Sequence, residues 1–118
     1  MTKKAAPETA PEESPSDYSL DSILTSELRF FIMAILAMYR EVDFNFLKKE
    51  LEVSDGNLSA NLTKLEDAGY LVSKKEFVGK RPHTTYRISS RGFENLQTHL
   101  RKMEQVKSLI DSSGKGAD

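Results

Sequence analysis

Two asparagines four residues apart, Asn57 and Asn61, carry the most specific chemical signal in this chain. A carboxamide presents a donor and an acceptor side by side, the pattern that matches N6 and N7 of adenine in the major groove of a DNA duplex. Gly56, one residue earlier, has no side chain, so a sugar-phosphate backbone could come close to the free amides at a helix start. A second group, Lys80, Arg81 and His83, falls in the run Gly79-Lys80-Arg81-Pro82-His83, where cations clustered at a turn suit phosphate oxygens or a minor groove. Each signal has a plainer reading: a solvated polar helix face for the asparagines, and lysines that discourage edge-to-edge strand pairing for the basic turn.

The elements that must position these residues are legible from spacing. Leu58, Leu62 and Leu65 recur at helical intervals and form one apolar stripe, which leaves Asn57, Ala60, Asn61 and Lys64 on an adjacent open face. Ser54 is a natural N-cap for this helix and Gly69 a natural stop, placing it at about residues 55–68. Before it, Asp43 caps a shorter helix from Phe44 to Leu51, and Glu52-Val53-Ser54 joins the two. Two short helices linked by a tight turn form a helix-turn-helix. After it, Tyr70 to Val78 and Thr84 to Ile88 have the β-branched and aromatic content of paired strands, with 79–83 as their loop.

Two further helices flank this centre. Ser26 caps a run to Tyr39 whose inward stripe is Leu28, Phe31, Ile32, Ile35, Leu36 and Tyr39, while Phe30, Met33, Ala34, Ala37 and Met38 leave almost no polar side. A helix apolar all round is buried all round, so in a small domain a second copy of the chain is the simplest cover. A ligand pocket rich in Met and Phe is the alternative. Ser89 caps the last helix, expected over Ser90 to Ile110. There Phe93, Leu96, Leu100, Met103, Lys107 and Ile110 step by threes and fours, a seam suited to pairing with another helix. Phe30, Met33, Phe93, Leu96, Leu100 and Met103 are therefore the expected dimer contacts.

Bulk composition narrows the function further. A chain of 118 residues with 38% hydrophobic residues supports one small domain. The net charge of −1 is uneven: residues 26–110 hold 14 basic and 11 acidic side chains, a surplus of +3, and the remainder carries −4. Residues 1–19, rich in Pro, Glu, Ser and Thr, read as a disordered acidic tail, residues 20–110 as the folded domain, and 111–118 as a flexible end. There is no cysteine and the two histidines are isolated, so no metal site is expected. No nucleophile sits with a base, so no catalysis and no cofactor are expected. No apolar run approaches the ~20 residues of a membrane span, and the chain reads as cytoplasmic.

The run Asp55-Gly56-Asn57-Leu58-Ser59, then Leu62, Leu65-Glu66, Ala68-Gly69-Tyr70, Phe77, Gly79, Pro82, Thr84, Tyr86 and Gly92, resembles the winged-helix transcriptional regulators related to the MarR and ArsR groups. The likeness covers about residues 20–110. It departs at Asn61, where histidine is frequent, and at Ser89, where threonine is usual. The fold implied is mainly α with a small β-hairpin (α+β), a winged helix-turn-helix with a long C-terminal dimerisation helix. The resemblance further implies a homodimer in which Asp55, Gly56, Asn57, Ala60, Asn61 and Lys64 enter the major groove. It assigns Ser59, Thr63, Lys80, Arg81, His83 and Thr84 to the backbone or the wing. The expected function is sequence-specific binding of double-stranded DNA to regulate transcription, as a repressor. The alternative is a winged-helix module that binds protein rather than DNA.

Overall fold

Each helix starts where a short polar side chain can satisfy a free amide, because the first amides of a helix have no partner within it. A computed structural model describes residues 19–114. In it α1 (Glu27–Met38) is capped by Ser26, which accepts from the Arg29 amide. Helix α2 (Phe44–Leu51) is capped by Asp43, which accepts from Phe46, and α3 (Asp55–Asp67) by Ser54, which accepts from Asn57. Helix α4 (Ser90–Ser113) is capped by Ser89, which accepts from Gly92. All four caps are the expected ones, and α4 runs three residues past its expected end at Ile110. Of the expected N-terminal tail, 1–18 lie outside the described residues; of the expected flexible end, 115–118 do.

The three strands are β1 (Val42–Asp43), β2 (Leu71–Val78) and β3 (Arg81–Ile88), antiparallel in the order β1-β3-β2. The two-residue β1, paired as Val42 to Tyr86 and Asp43 to Thr85, is too short to leave an alternating pattern, and only a hairpin is legible in the sequence. The hairpin loop is also tighter than expected. Val78 pairs with Arg81, so Gly79 and Lys80 alone make the turn, with a positive φ of 68° at Gly79. A two-residue loop with glycine first suits the twist of paired strands, as in a II′ turn. Arg81, Pro82 and His83 therefore belong to β3 rather than to a loop. Pro82 is tolerated because β1 spans only the far end of β3, leaving that stretch an open edge.

The core gathers Leu24 from the turn before α1, Ile32, Met33, Leu36, Leu47, Leu58, Leu65 and Leu96 from the four helices, and Leu71 from the root of β2. Two expected dimer contacts are corrected here. Met33 and Leu96 are 0% and 3% exposed, filling the chain's own interior and offering nothing to a second copy. Conversely Phe31 and Tyr39, expected inside, are about half exposed. Lys107, within the expected seam of α4, is exposed and pairs with Asp111 at 2.6 Å, one helical turn on.

A tight crossing lies where α4 meets the start of β2. A Cβ on Gly92 would fall 2.0 Å from the Tyr70 carbonyl oxygen and 2.8 Å from Met33 Cε, so no larger residue fits without moving backbone. The Ser89 amide donates to that same carbonyl at 3.0 Å, and the Ser89 hydroxyl donates to Gly69 O at 2.6 Å. The Tyr70 side chain is buried and its hydroxyl forms a short hydrogen bond with Asp21. Burial first, and that bond second, push the phenol above its ordinary value of 10.0. Tyr86 is shifted the same way by burial and by Glu66.

Gly92→Ala is expected to cost about 3 kcal/mol in urea unfolding, the upper range for overpacking. A raised phenol pKa gives stability that is whole below the unfolded value and is lost as pH rises through the folded one. Stability should therefore decline above about pH 10, and in Tyr70→Phe that decline, followed by unfolding midpoints across the alkaline range, should become shallower because, of the two raised phenols among the described residues, Tyr86 remains.

Candidate nucleic-acid interface

Helix α3 has two faces with opposite fates. Leu58, Leu62 and Leu65 are buried, each occupying the apolar stripe that its spacing dictates. Asp55, Gly56, Asn57, Ser59, Ala60, Thr63 and Lys64 are exposed, so seven polar or small residues form one open surface along the helix. A Cβ at Gly56 would meet no atom within 4 Å; nothing among the described residues requires glycine there. Lys48 of α2 reaches Asp55 at 2.7 Å while both side chains stay in solvent, tying the two helices across their turn. That turn contains Glu52 in the left-handed region at φ 52°, its amide bonded to Lys48 O. A non-glycine residue is uncommon in that conformation.

Asn61 differs from its expected role as a free reader. It is half-buried, and both ends of its carboxamide are occupied. Its Oδ1 accepts from Arg29 Nη1 of α1 at 2.8 Å, and its Nδ2 donates to Asn57 O at 2.8 Å and to Asn57 Oδ1 at 3.0 Å. A donor and an acceptor already committed to the protein are not a vacant edge for a base. Arg29 also donates from Nε to Ile23 O at 2.8 Å, which leaves it fixed from two sides. Sequence reasoning passed over Arg29, yet a signal existed: after Glu27 it is the one charged residue in an otherwise apolar helix, and such a cation must find acceptors.

The strand pair extends away from the core as a wing. From Lys74 to Arg81 every residue is exposed, with Lys80 in the turn and Arg81 beside it. Phe77 and Val78 are also largely exposed. His83 and Thr84 sit further down β3 and are only half exposed. There His83 Nε2 lies 3.9 Å from Asp43 Oδ2, so the imidazole faces a carboxylate at the wing's root and not the tip. The basic pair at the turn and the polar face of α3 are the two surfaces brought forward. Among the described residues no group of acids, histidines and cysteines could hold a metal ion, and no helix is long and apolar enough to cross a membrane.

Two capped helices about a tight turn, followed by a hairpin and packed under a long helix, define a winged helix-turn-helix. Comparison with known proteins agrees. The family profile for the winged helix DNA-binding domain matches residues 28–107, and the chain belongs to that family. An uncharacterised protein of Methanocaldococcus jannaschii is 32% identical over 89 residues, 75% of this chain and 97% of that one. The structure of a transcriptional regulator homologue from Pyrococcus horikoshii superimposes with a TM-score of 0.67 at 28% identity, covering 82% of this chain and 93% of the other. MarR matches in fold with a TM-score of 0.65 at 15% identity, over 80% of this chain and 68% of its own. The chain therefore carries a winged-helix DNA-binding domain, with a fold similar to that of MarR.

Proposed function

We propose that the chain is a cytoplasmic, homodimeric, sequence-specific regulator that represses transcription by occupying a duplex site. The observation that carries the reading is the divided helix α3. Three leucines are spent on the core, and the opposite face, from Asp55 to Lys64, is left open with Asn57 upon it. In this reading Asp55, Gly56, Asn57, Ala60 and Lys64 enter the major groove, with Asn61 behind them. Ser59 and Thr63 touch the sugar-phosphate backbone, and the wing lays Lys80 and Arg81 on phosphates or the minor groove, with His83 and Thr84 supporting it from its root. The surplus of basic charge over residues 26–110 suits that partner. Occupancy of a promoter is enough for repression, so no catalytic group is needed.

The second copy is supported by unsatisfied apolar surface. Phe31 on α1 and Phe93, Leu100, Met103, Leu109 and Ile110 on α4 are each 40–63% exposed, and Phe30 is partly buried against His99. A run of apolar side chains along a helix that extends beyond its own core suits a two-fold interface, in which one patch meets itself. Such a pair would set two α3 helices into successive major grooves, about 34 Å apart.

Selection of bound duplexes from a random pool should return a two-fold symmetric consensus; an absence of any enriched duplex would refute DNA recognition. Asn57→Ala should lose preference at one base position by about 1–3 kcal/mol. Lys80→Ala and Arg81→Ala should weaken binding to all duplexes alike, each lowering the slope of log affinity against log salt by about one. The double change Leu100→Glu and Met103→Glu should leave the fold intact, since both side chains are exposed, while sedimentation shows the dimer lost. A stable dimer in that variant would remove this interface.

A further inference from the structure

Arg29 stands on α1, outside the helix-turn-helix, yet it touches the reader helix. We infer that Arg29 is a positioning residue for sequence recognition: acting through Asn61, it fixes which way round the Asn57 carboxamide is presented to a base. The inference rests on the reading of α3 as the DNA-contacting helix and adds to it a determinant that lies off that surface.

The reasoning follows from donor and acceptor inventories. A guanidinium has donors only and is not deprotonated within a protein, so it is never without them. The group facing Arg29 Nη1 at 2.8 Å must therefore be the oxygen of Asn61. Once that oxygen is committed, the amide of Asn61 points the other way, toward Asn57, where it meets Asn57 O at 2.8 Å and Asn57 Oδ1 at 3.0 Å. Only an oxygen can accept there, so Asn57 is also held in one orientation, with its own Nδ2 turned away from Asn61. Among the described residues nothing accepts from that Nδ2, and Asn57 is exposed. It keeps a free donor and a remaining lone pair for a base edge.

Carboxamide orientation is otherwise weakly determined, because the two ends are nearly equal in size and differ only in hydrogen bonding. A half-turn exchanges donor for acceptor and no longer matches the same base. The fixed polarity of Arg29 is passed along Arg29, Asn61 and Asn57 in turn. Arg29 is itself held, since Nε donates to Ile23 O at 2.8 Å while its amide is capped by Ser26. The edge shown by Asn57 is thereby set before any duplex arrives, which removes an ordering cost from binding.

Arg29→Met keeps the length of the side chain and removes its donors. In that variant the base preference at the position read by Asn57, measured over duplexes differing only there, is expected to fall about tenfold. Affinity for unrelated duplex and the salt slope should stay as in the parent. Arg29→Lys, still a donor without acceptors, should restore most of the preference. Asn61→Asp, which keeps a partner for Arg29 but has no amide to donate, should lose it, whether or not Arg29→Met folds. Side-chain amide resonances of Asn57, recorded without DNA, should move in Arg29→Met and in Asn61→Asp.

Full base preference in both Arg29→Met and Asn61→Asp, with Asn57 resonances unmoved, would overturn the inference and leave DNA recognition standing. A parent chain with no base preference on any duplex would overturn the DNA reading, and the positioning role with it. The resonances recorded without DNA report on the hydrogen-bond relay separately from either result.

Discussion

The close approach of Gly92 to the Tyr70 carbonyl fixes the rest of the molecule. At that crossing the end of α3, the beginning of β2 and the first turn of α4 share a few ångströms. Gly69 turns the chain at a φ of 81°, Tyr70 O accepts from Ser89, and Ser89 both caps α4 and holds Gly69 O. Glycine is required at 92 because backbone lies where a side chain would be. Helix α3 thus ends, and the wing and the long helix start, at one rigid point. Their relative placement depends on this junction, not on contacts between their distant ends.

From that junction the chain's two kinds of surface separate. Leucine stripes on α3 and the inner side of α1 close the core, and dispersion among well-packed side chains makes the arrangement stiff. What remains outside is polar along α3, basic at the wing turn and apolar along α4. Each exposed surface has a chemistry that the interior does not need. Gly56 belongs with them: a Cβ there would meet no atom within 4 Å.

Much of the architecture was written in local chemistry. Ser26, Asp43, Ser54 and Ser89 all cap the helices that their positions announce, since a cap is a contact between residues two or three apart. The leucine stripe of α3 was equally plain. Less legible were features that depend on tertiary partners. The third strand is two residues long and exists only because β3 lies beside it. The hairpin loop looks wider in the sequence than in the fold because Pro82 suggests a turn, whereas an open strand edge also accepts proline. Met33 and Leu96 looked like interface residues because periodicity alone cannot tell which side of an apolar helix meets its own core. Nothing local marks Asn61 as engaged, because its partner, Arg29, is 32 residues away in the chain.

Helix α4 is held at its root by Gly92, Leu96 and His99 and by the bond from Lys102 to Ser19 O, while its outer turns stand clear of the body. Mechanically it is a cantilever. A tilt of about 10° at the root would carry the neighbourhood of Ile110 through roughly 5 Å, given a rise of about 1.5 Å per residue. Substitutions among the few side chains packed under the root, Met33 foremost, would therefore be geared up into large displacements at the far tip.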